Sequence, residues 1–252
     1  KYKPFSLVSE TLLTKNGLRG ATFSAYSNDG KFIYVSGMYS GGLSKNKYDA
    51  DATGFWHDGQ VWKIDCATKK AEVFFAIDES KVISDNDARS KSPITDTHAN
   101  RYATFHGIAV DHNQNVFVCD RLNKRIIILD KNGKLIREIP VSFPDDIALL
   151  PNSNSLYITT RFGDYHKNGE MKLLKFNDWT IDDKPLISIS LGAVGQYNQR
   201  PYLAVCENEG LKYLWLAYTT LPVLVYQDKG SNLELIKNFY EKICCFISFY
   251  WL

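Results

Sequence analysis

Short apolar runs separated by polar turns recur along this chain, and none of them carries a convincing helical stripe. The clearest unit is His106-Gly107-Ile108-Ala109-Val110-Asp111, then Asn115-Val116-Phe117-Val118-Cys119-Asp120, then Asn123-Lys124-Arg125-Ile126-Ile127-Ile128-Leu129-Asp130. The same order of pieces returns three times. Arg19-Gly20-Ala21-Thr22-Phe23 precedes Lys31 to Val35, Asp145 to Leu149 precedes Ser155 to Thr159, and Pro201 to Val205 precedes Tyr213 to Ala217. A third run ending near an acidic residue follows in every copy: Val61 to Asp65, Ile126 to Asp130, Leu173 to Asn177 and Val223 to Asp228. A more polar fourth run closes each unit, at Glu72 to Phe75, Leu135 to Ile139, Pro185 to Ile189 and Leu233 to Ile236.

Four strands per repeat make the blade of a β-propeller, so the fold class expected is all-β. One domain over residues 1–252 is expected, with blades at about 19–77, 105–141, 144–190 and 200–240. β-Branched and aromatic residues fill the runs, while Asn28-Asp29-Gly30, Asn132-Gly133-Lys134 and Pro151-Asn152-Ser153-Asn154 supply turn chemistry. Asn238 to Cys245 is the best helical candidate, though it reads equally as strand. Gly107 and Asp146 are 39 positions apart, a plain blade, whereas Gly20 and Gly107 are 87 apart. The first blade therefore carries insertions, mapped to Met38–Gly59 and Asp78–Thr104, of loop composition.

Composition narrows the function classes. At 252 residues, 44% hydrophobic and 23% charged, the chain can bury a large core. A net charge of +2 with scattered basic residues lacks the footprint of a nucleic-acid binder. Cys66, Cys119 and Cys206, three of five cysteines, lie in or beside strands and read as buried thiols with no zinc spacing. The apolar run Ile243–Leu252, which holds Cys244 and Cys245, is too short to span a bilayer.

The run Gly107-Ile108-Ala109-Val110-Asp111, Asn115-Val116-Phe117-Val118-Cys119-Asp120 and Asn123-Lys124-Arg125-Ile126 resembles the NHL-repeat β-propellers. More broadly, the chain is similar to the six-bladed group that holds the gluconolactonase, strictosidine-synthase-like and paraoxonase-like families. Against six blades, the four visible here imply part of a larger ring, with Lys3–Leu13 as a lone outer strand and Ile243–Leu252 as the start of a fifth blade. The resemblance slightly favours an extracytoplasmic location.

Candidate chemistry follows from the repeat register. The turn leading into each innermost strand faces the central funnel, which places Arg19, His106, Asp145 and Arg200 in one column; Arg161 is grouped with them as ligand-binding. Arginines beside a histidine and a carboxylate suit a small anionic or polyhydroxylated ligand. In the calcium-dependent relatives a Pro-Asn-Asp-Ile run places its Asn on a metal, so the resemblance implies Asp145 and Asp146 of Pro144-Asp145-Asp146-Ile147 as metal ligands. It also implies a general-base role for His106. Asp111-His112-Asn113-Gln114-Asn115 lacks the Gly and distant Glu of a calcium loop and reads as a hairpin turn. No Gly-x-Ser-x-Gly elbow accompanies Ser24 or Ser40. Phe55-Trp56, Trp62, Trp179 and Trp215 form a possible sugar-stacking set, mostly at strand positions. The expectation is a binding module for a small polar ligand or a protein partner, with no cofactor. The alternative is a calcium-dependent hydrolase or lyase.

Overall fold

A computed structural model of the chain describes residues 18–19, 23–36, 39–40, 59–78, 104–150, 153–162, 170–193, 201–218 and 223–239. The strands are β1 (Leu18–Arg19), β2 (Phe23–Tyr26), β3 (Phe32–Ser36), β4 (Tyr39–Ser40), β5 (Gln60–Asp65) and β6 (Ala71–Ala76), then β7 (Phe105–Val110), β8 (Val116–Asp120), β9 (Arg125–Leu129) and β10 (Leu135–Pro140). They continue with β11 (Pro144–Leu149), β12 (Leu156–Phe162), β13 (Glu170–Phe176), β14 (Ile187–Ala193), β15 (Pro201–Asn208), β16 (Leu211–Tyr218), β17 (Val223–Asp228) and β18 (Leu233–Phe239). Among the described residues they form four four-stranded antiparallel sheets, ordered β2-β3-β5-β6, β7-β8-β9-β10, β11-β12-β13-β14 and β15-β16-β17-β18, and a two-stranded one of β1 and β4. The four-stranded sheets are four blades of a β-propeller. Their inner strands β2, β7, β11 and β15 lie side by side in that order. No helix among the described residues is long and apolar enough to cross a membrane.

Each interior sheet is covered on both faces, and that explains runs that are continuously apolar rather than alternating. In β8, Val116 and Val118 pack toward the first blade with Tyr34, Val61 and Phe105, while Phe117 and Cys119 pack toward the third with Ile147, Leu156 and Phe176. All five residues of β8 are buried. The outer strand β10 is mostly exposed, which is why its sequence is the polar one. Acidic residues closing the third runs cap hairpins: Asp130 Oδ1 accepts from Asn132 N at 2.8 Å and Lys134 N at 2.9 Å, and Asp65 Oδ1 accepts from Thr68 N at 2.7 Å and Ala67 N at 2.9 Å. These turn amides hold both carboxyls below their ordinary value. The turn after β15 is two residues, Glu209 (φ 52) and Gly210 (φ 75), the left-handed pair that matches strand twist.

Two differences from the sequence reading concern the first blade. The Ser27 turn sets Tyr26 opposite Ile33, as the Asp111 turn sets Val110 opposite Val116, so counting back aligns Phe23, not Gly20, with Gly107. An alignment anchored on glycine slips by three residues; the hydrogen-bonded turn is the physical anchor. Arg19 accordingly lies outside the inner strand, in β1, paired with Tyr39 of β4. Part of the Met38–Gly59 insertion is thus strand rather than loop. Nearly all of the rest of that insertion and of Asp78–Thr104 lies outside the described residues, as do Lys3–Leu13 and Ile243–Leu252. Asn238 and Phe239 complete β18, so the described part of the helical candidate is strand.

Blades three and four are joined by a buried polar lock at the Lys175 end of β13. Lys175 Nζ lies 2.7 Å from Asp228 Oδ1 and donates to Gly230 O at 2.6 Å, and the Tyr157 hydroxyl donates to Asp228 Oδ2. Burial raises the Asp228 carboxyl, but Lys175, Tyr157 and the Gly230 amide outweigh it and leave the group below its ordinary value. Burial and the neighbouring Asp228 charge push the Tyr157 phenol far up, so it stays a donor.

Because the folded Asp228 carboxyl titrates below its unfolded counterpart, its stabilisation is present above the ordinary carboxylate range and lost as pH falls through the folded value. Asp228→Asn is expected to remove that part of the acid limb and, by stranding the Lys175 ammonium, to cost about 3 kcal/mol at neutral pH, read by urea unfolding across pH.

Candidate functional site

His106 and Asp145 occupy the same position in successive blades. In β7 the register jumps between Phe105, opposite Asp120, and Ile108, opposite Val118, so His106 and Gly107 together face one partner residue. In β11 the jump lies between Pro144, opposite Thr160, and Asp146, opposite Thr159, which leaves Asp145 as the extra residue. The pairings of β2 with β3 and of β15 with β16 show no such shift. A bulge re-aims a side chain that a regular pleat would send elsewhere, and here two of them aim at one another. His106 Nδ1 lies 2.8 Å from Asp145 Oδ1, with both side chains buried.

Gly107 makes the approach possible. A Cβ on it would fall 2.8 Å from Asp146 Cα and 3.0 Å from both Asp145 O and Ile147 N, all backbone atoms of β11 that cannot swing aside. On its other side His106 is set by the first blade: the Phe23 ring is 5.3 Å away, centroid to centroid, and Ser36 Oγ donates to His106 O at 2.6 Å. Three blades therefore fix one imidazole.

Two guanidinium groups complete the cluster. Arg121 follows β8 and its N–H donates to Thr104 O; Arg161, in β12, donates its N–H to Phe143 O. These are equivalent bonds, one in each blade, to the residue that precedes the inner strand. Arg121 Nε lies 3.6 Å and Arg161 Nη2 3.5 Å from Asp145 Oδ1. Arg121 and Arg161 are 1% and 4% exposed, deep burial for arginine. Phe143 sits at φ 51, a left-handed conformation that is strained for a bulky side chain, immediately before Pro144 and the bulge.

Of the expected column, then, the structure brings together His106, Asp145 and Arg161. Arg19 belongs to the separate β1–β4 ladder, and Arg200 lies outside the described residues. Arg121 and Phe143 escaped the sequence reading. The signal for Arg121 was its equivalence to Arg161 once the hairpins are aligned; Phe143 had none beyond the proline after it.

Among the described residues, the Asp145 and Asp146 carboxylates do not converge on one point. Asp145 turns to one imidazole and two guanidiniums, while Asp146 turns away, accepting from Ile147 N at Oδ1 and from Leu203 N of the fourth blade at Oδ2, each at 2.9 Å. Among the described residues no group of three or more His, Cys, Asp or Glu side chains comes together as a cation cage.

Other motif residues serve the fold. Asp120 Oδ2 lies 2.7 Å from Arg125 Nε, and Oδ1 accepts from Asn123 Nδ2 at 2.8 Å, so the Asn-Lys-Arg run ties down its own turn. Burial raises the Asp120 carboxyl against those partners. Asp111 Oδ1 accepts from Asn113 N and Asn115 N, the turn expected there, with His112 exposed. Trp62 and Trp179 are core residues, Trp179 edge-on to Phe117, whereas Trp215 is partly exposed and stacked on Phe239. Phe55, Trp56, His57, His98, His166, Cys244 and Cys245 lie outside the described residues.

No protein-family model matches the chain, and no curated protein matches it. Among solved structures it is similar to virginiamycin B lyase from Staphylococcus aureus, at 12% identity and a TM-score of 0.44, over 85% of this chain and 54% of that one. It is also similar to a luciferin-regenerating enzyme, at 18% identity and a TM-score of 0.33, over 56% of this chain and 37% of that one. The chain thus spans about half the length of the first and just over a third of the second.

Removing the carboxylate leaves two buried guanidiniums facing each other, so Asp145→Ala should cost about 3–5 kcal/mol. His106→Asn, which removes one partner of that carboxylate, should cost about 1–3 kcal/mol. Gly107→Ala forces a backbone shift and should cost about 1–3 kcal/mol. Chemical denaturation of the three variants ranks them.

Proposed function

We propose that this propeller is a binding module of the NHL type whose ligand is a small anionic or polyhydroxylated molecule, held by His106, Asp145 and Arg161, with Arg121 behind them. The observation that carries the reading is the pair of bulges at one repeat position. Two departures from regular pairing, in adjacent blades and absent from the flanking two inner hairpins, converge on one polar cluster. Further along the same strands, Ile108–Val110 and Ile147–Leu149 pair regularly with apolar or aromatic residues, so the polar cluster is confined to the bulged ends. Guanidinium forks supply bidentate donors for carboxylate or phosphate, and the His106–Asp145 pair supplies both a donor and an acceptor for hydroxyls. The Asp120–Asn123–Arg125 turn supports the NHL-type reading of the second blade, and Arg200 remains a proposed member of the ligand set.

A second reading has its own observation. A carboxylate on Nδ1 selects the tautomer in which Nε2 is the basic nitrogen, the arrangement that makes a histidine a general base. His106 would then abstract a proton in a hydrolase or lyase reaction.

Thermal-shift and calorimetric titration with gluconate, inorganic phosphate and glucose separates these readings. The binding reading expects saturable stabilisation by an anion, unchanged by chelator and lost in Arg161→Met. Turnover of an ester or lactone that vanishes in His106→Asn would favour the enzymatic one. Absence of any shift with all three probes counts against the binding module.

A further inference from the structure

Arg121 and Arg161 hold equivalent backbone positions, yet their side chains act differently. Arg121 crosses the blade boundary: Nη2 donates to the backbone oxygen of Arg161 at 2.8 Å, and its guanidinium carbon lies 5.7 Å from the Phe143 ring centroid. Lys124 Nζ lies 5.0 Å from the same ring. Phe143 O in turn accepts the Arg161 N–H. One side chain of the second blade thus grips both strands that flank Asp145 in the third: the end of β12 through Arg161 O, and the start of β11 through Phe143.

We propose that Arg121 is a positioning residue, a clamp that fixes the strained Phe143 turn and so sets Asp145 against His106 Nδ1. The physical reason is the fork. A planar guanidinium can donate to a carbonyl, lie on an aromatic ring and still present Nε toward a carboxylate, and an ammonium cannot do all three. Phe143, held at positive φ, would otherwise relax toward the extended or helical region and carry the bulge with it. What the positioned pair is for rests on the ligand reading above; the clamp itself does not.

The experiment reads the imidazole directly. In 15N-labelled full chain, a hydrogen-bonded His106 Nδ1–H should give a downfield proton resonance, assigned by its loss in His106→Gln. In Arg121→Met this resonance is expected to move upfield or broaden into solvent exchange, while the backbone amides of the fourth blade keep their positions. Arg121→Lys keeps the buried charge and loses the fork, so it should fail to restore the signal; it also serves where the methionine variant does not fold. Phe143→Leu should shift the resonance in the same direction. A wild-type resonance persisting unchanged in Arg121→Met, full restoration by Arg121→Lys, or no His106-dependent resonance in the wild type overturns the clamp. Gluconate titration of the same samples tells the two proposals apart. A wild type that binds no probe but whose resonance depends on Arg121 sinks the ligand reading and supports the clamp.

Discussion

The site depends on the approach of two inner strands at Gly107. With no Cβ there, β7 lies against the backbone of β11 closely enough for residues at the same repeat position to touch side chain to side chain. Neighbouring blades in a propeller ordinarily meet through apolar side chains, as the clusters on either side of β8 do. At Gly107 the backbones meet instead, as they also do where Gly133 approaches Phe74 O of the first blade, and beside Gly107 the residues on the bulges are polar. Adding a methyl group at Gly107 would separate the strands and with them the His106–Asp145 contact.

Fold class and strand order were legible because each blade repeats four runs of distinct character. Buried strands read as continuously apolar, outer strands as polar, and acidic residues mark the hairpin caps. The first blade was harder: Gly20 offered a tempting match to Gly107, yet hydrogen bonds around Ser27 and Asp29 fix where β2 ends, and counting back from there sets its alignment. Sequence similarity within a repeat weights residue type, whereas register follows the turn.

The site was only half legible. His106 and Asp145 stood out as polar residues leading into apolar strands, and their contact follows from equal repeat positions. The bulges that make it geometrically possible leave no mark beyond one extra residue in a strand, which a sequence absorbs without a visible break. The NHL-like motif shows the converse. Asn123 and Arg125 are the sharpest residues in the pattern, and they hold a turn through Asp120 rather than forming part of the His106 cluster.

The two buried polar clusters differ in the strand pairing that carries them. Tyr157 and Lys175 are regular cross-strand partners, in a ladder with unbroken register between β12 and β13, and Asp228 reaches them from the next blade. In the second blade the equivalent pair is Phe117 and Ile128, opposite one another and wholly buried. An apolar pair thus suffices at that position in one blade, and the polar trio in the next serves the docking of blade four on blade three. His106 and Asp145 instead sit where the ladder shifts: Asp145 is the extra residue in its strand, and His106 is one of two that face a single partner. A bulge re-aims a side chain that a regular pleat would send elsewhere, and each blade also carries a shift between its third and fourth strands, where no polar cluster among the described residues is joined to it. A shift in the inner hairpin, shared by the second and third blades and absent from the first and fourth, is what distinguishes the His106–Asp145 pair from the Tyr157–Lys175 pair.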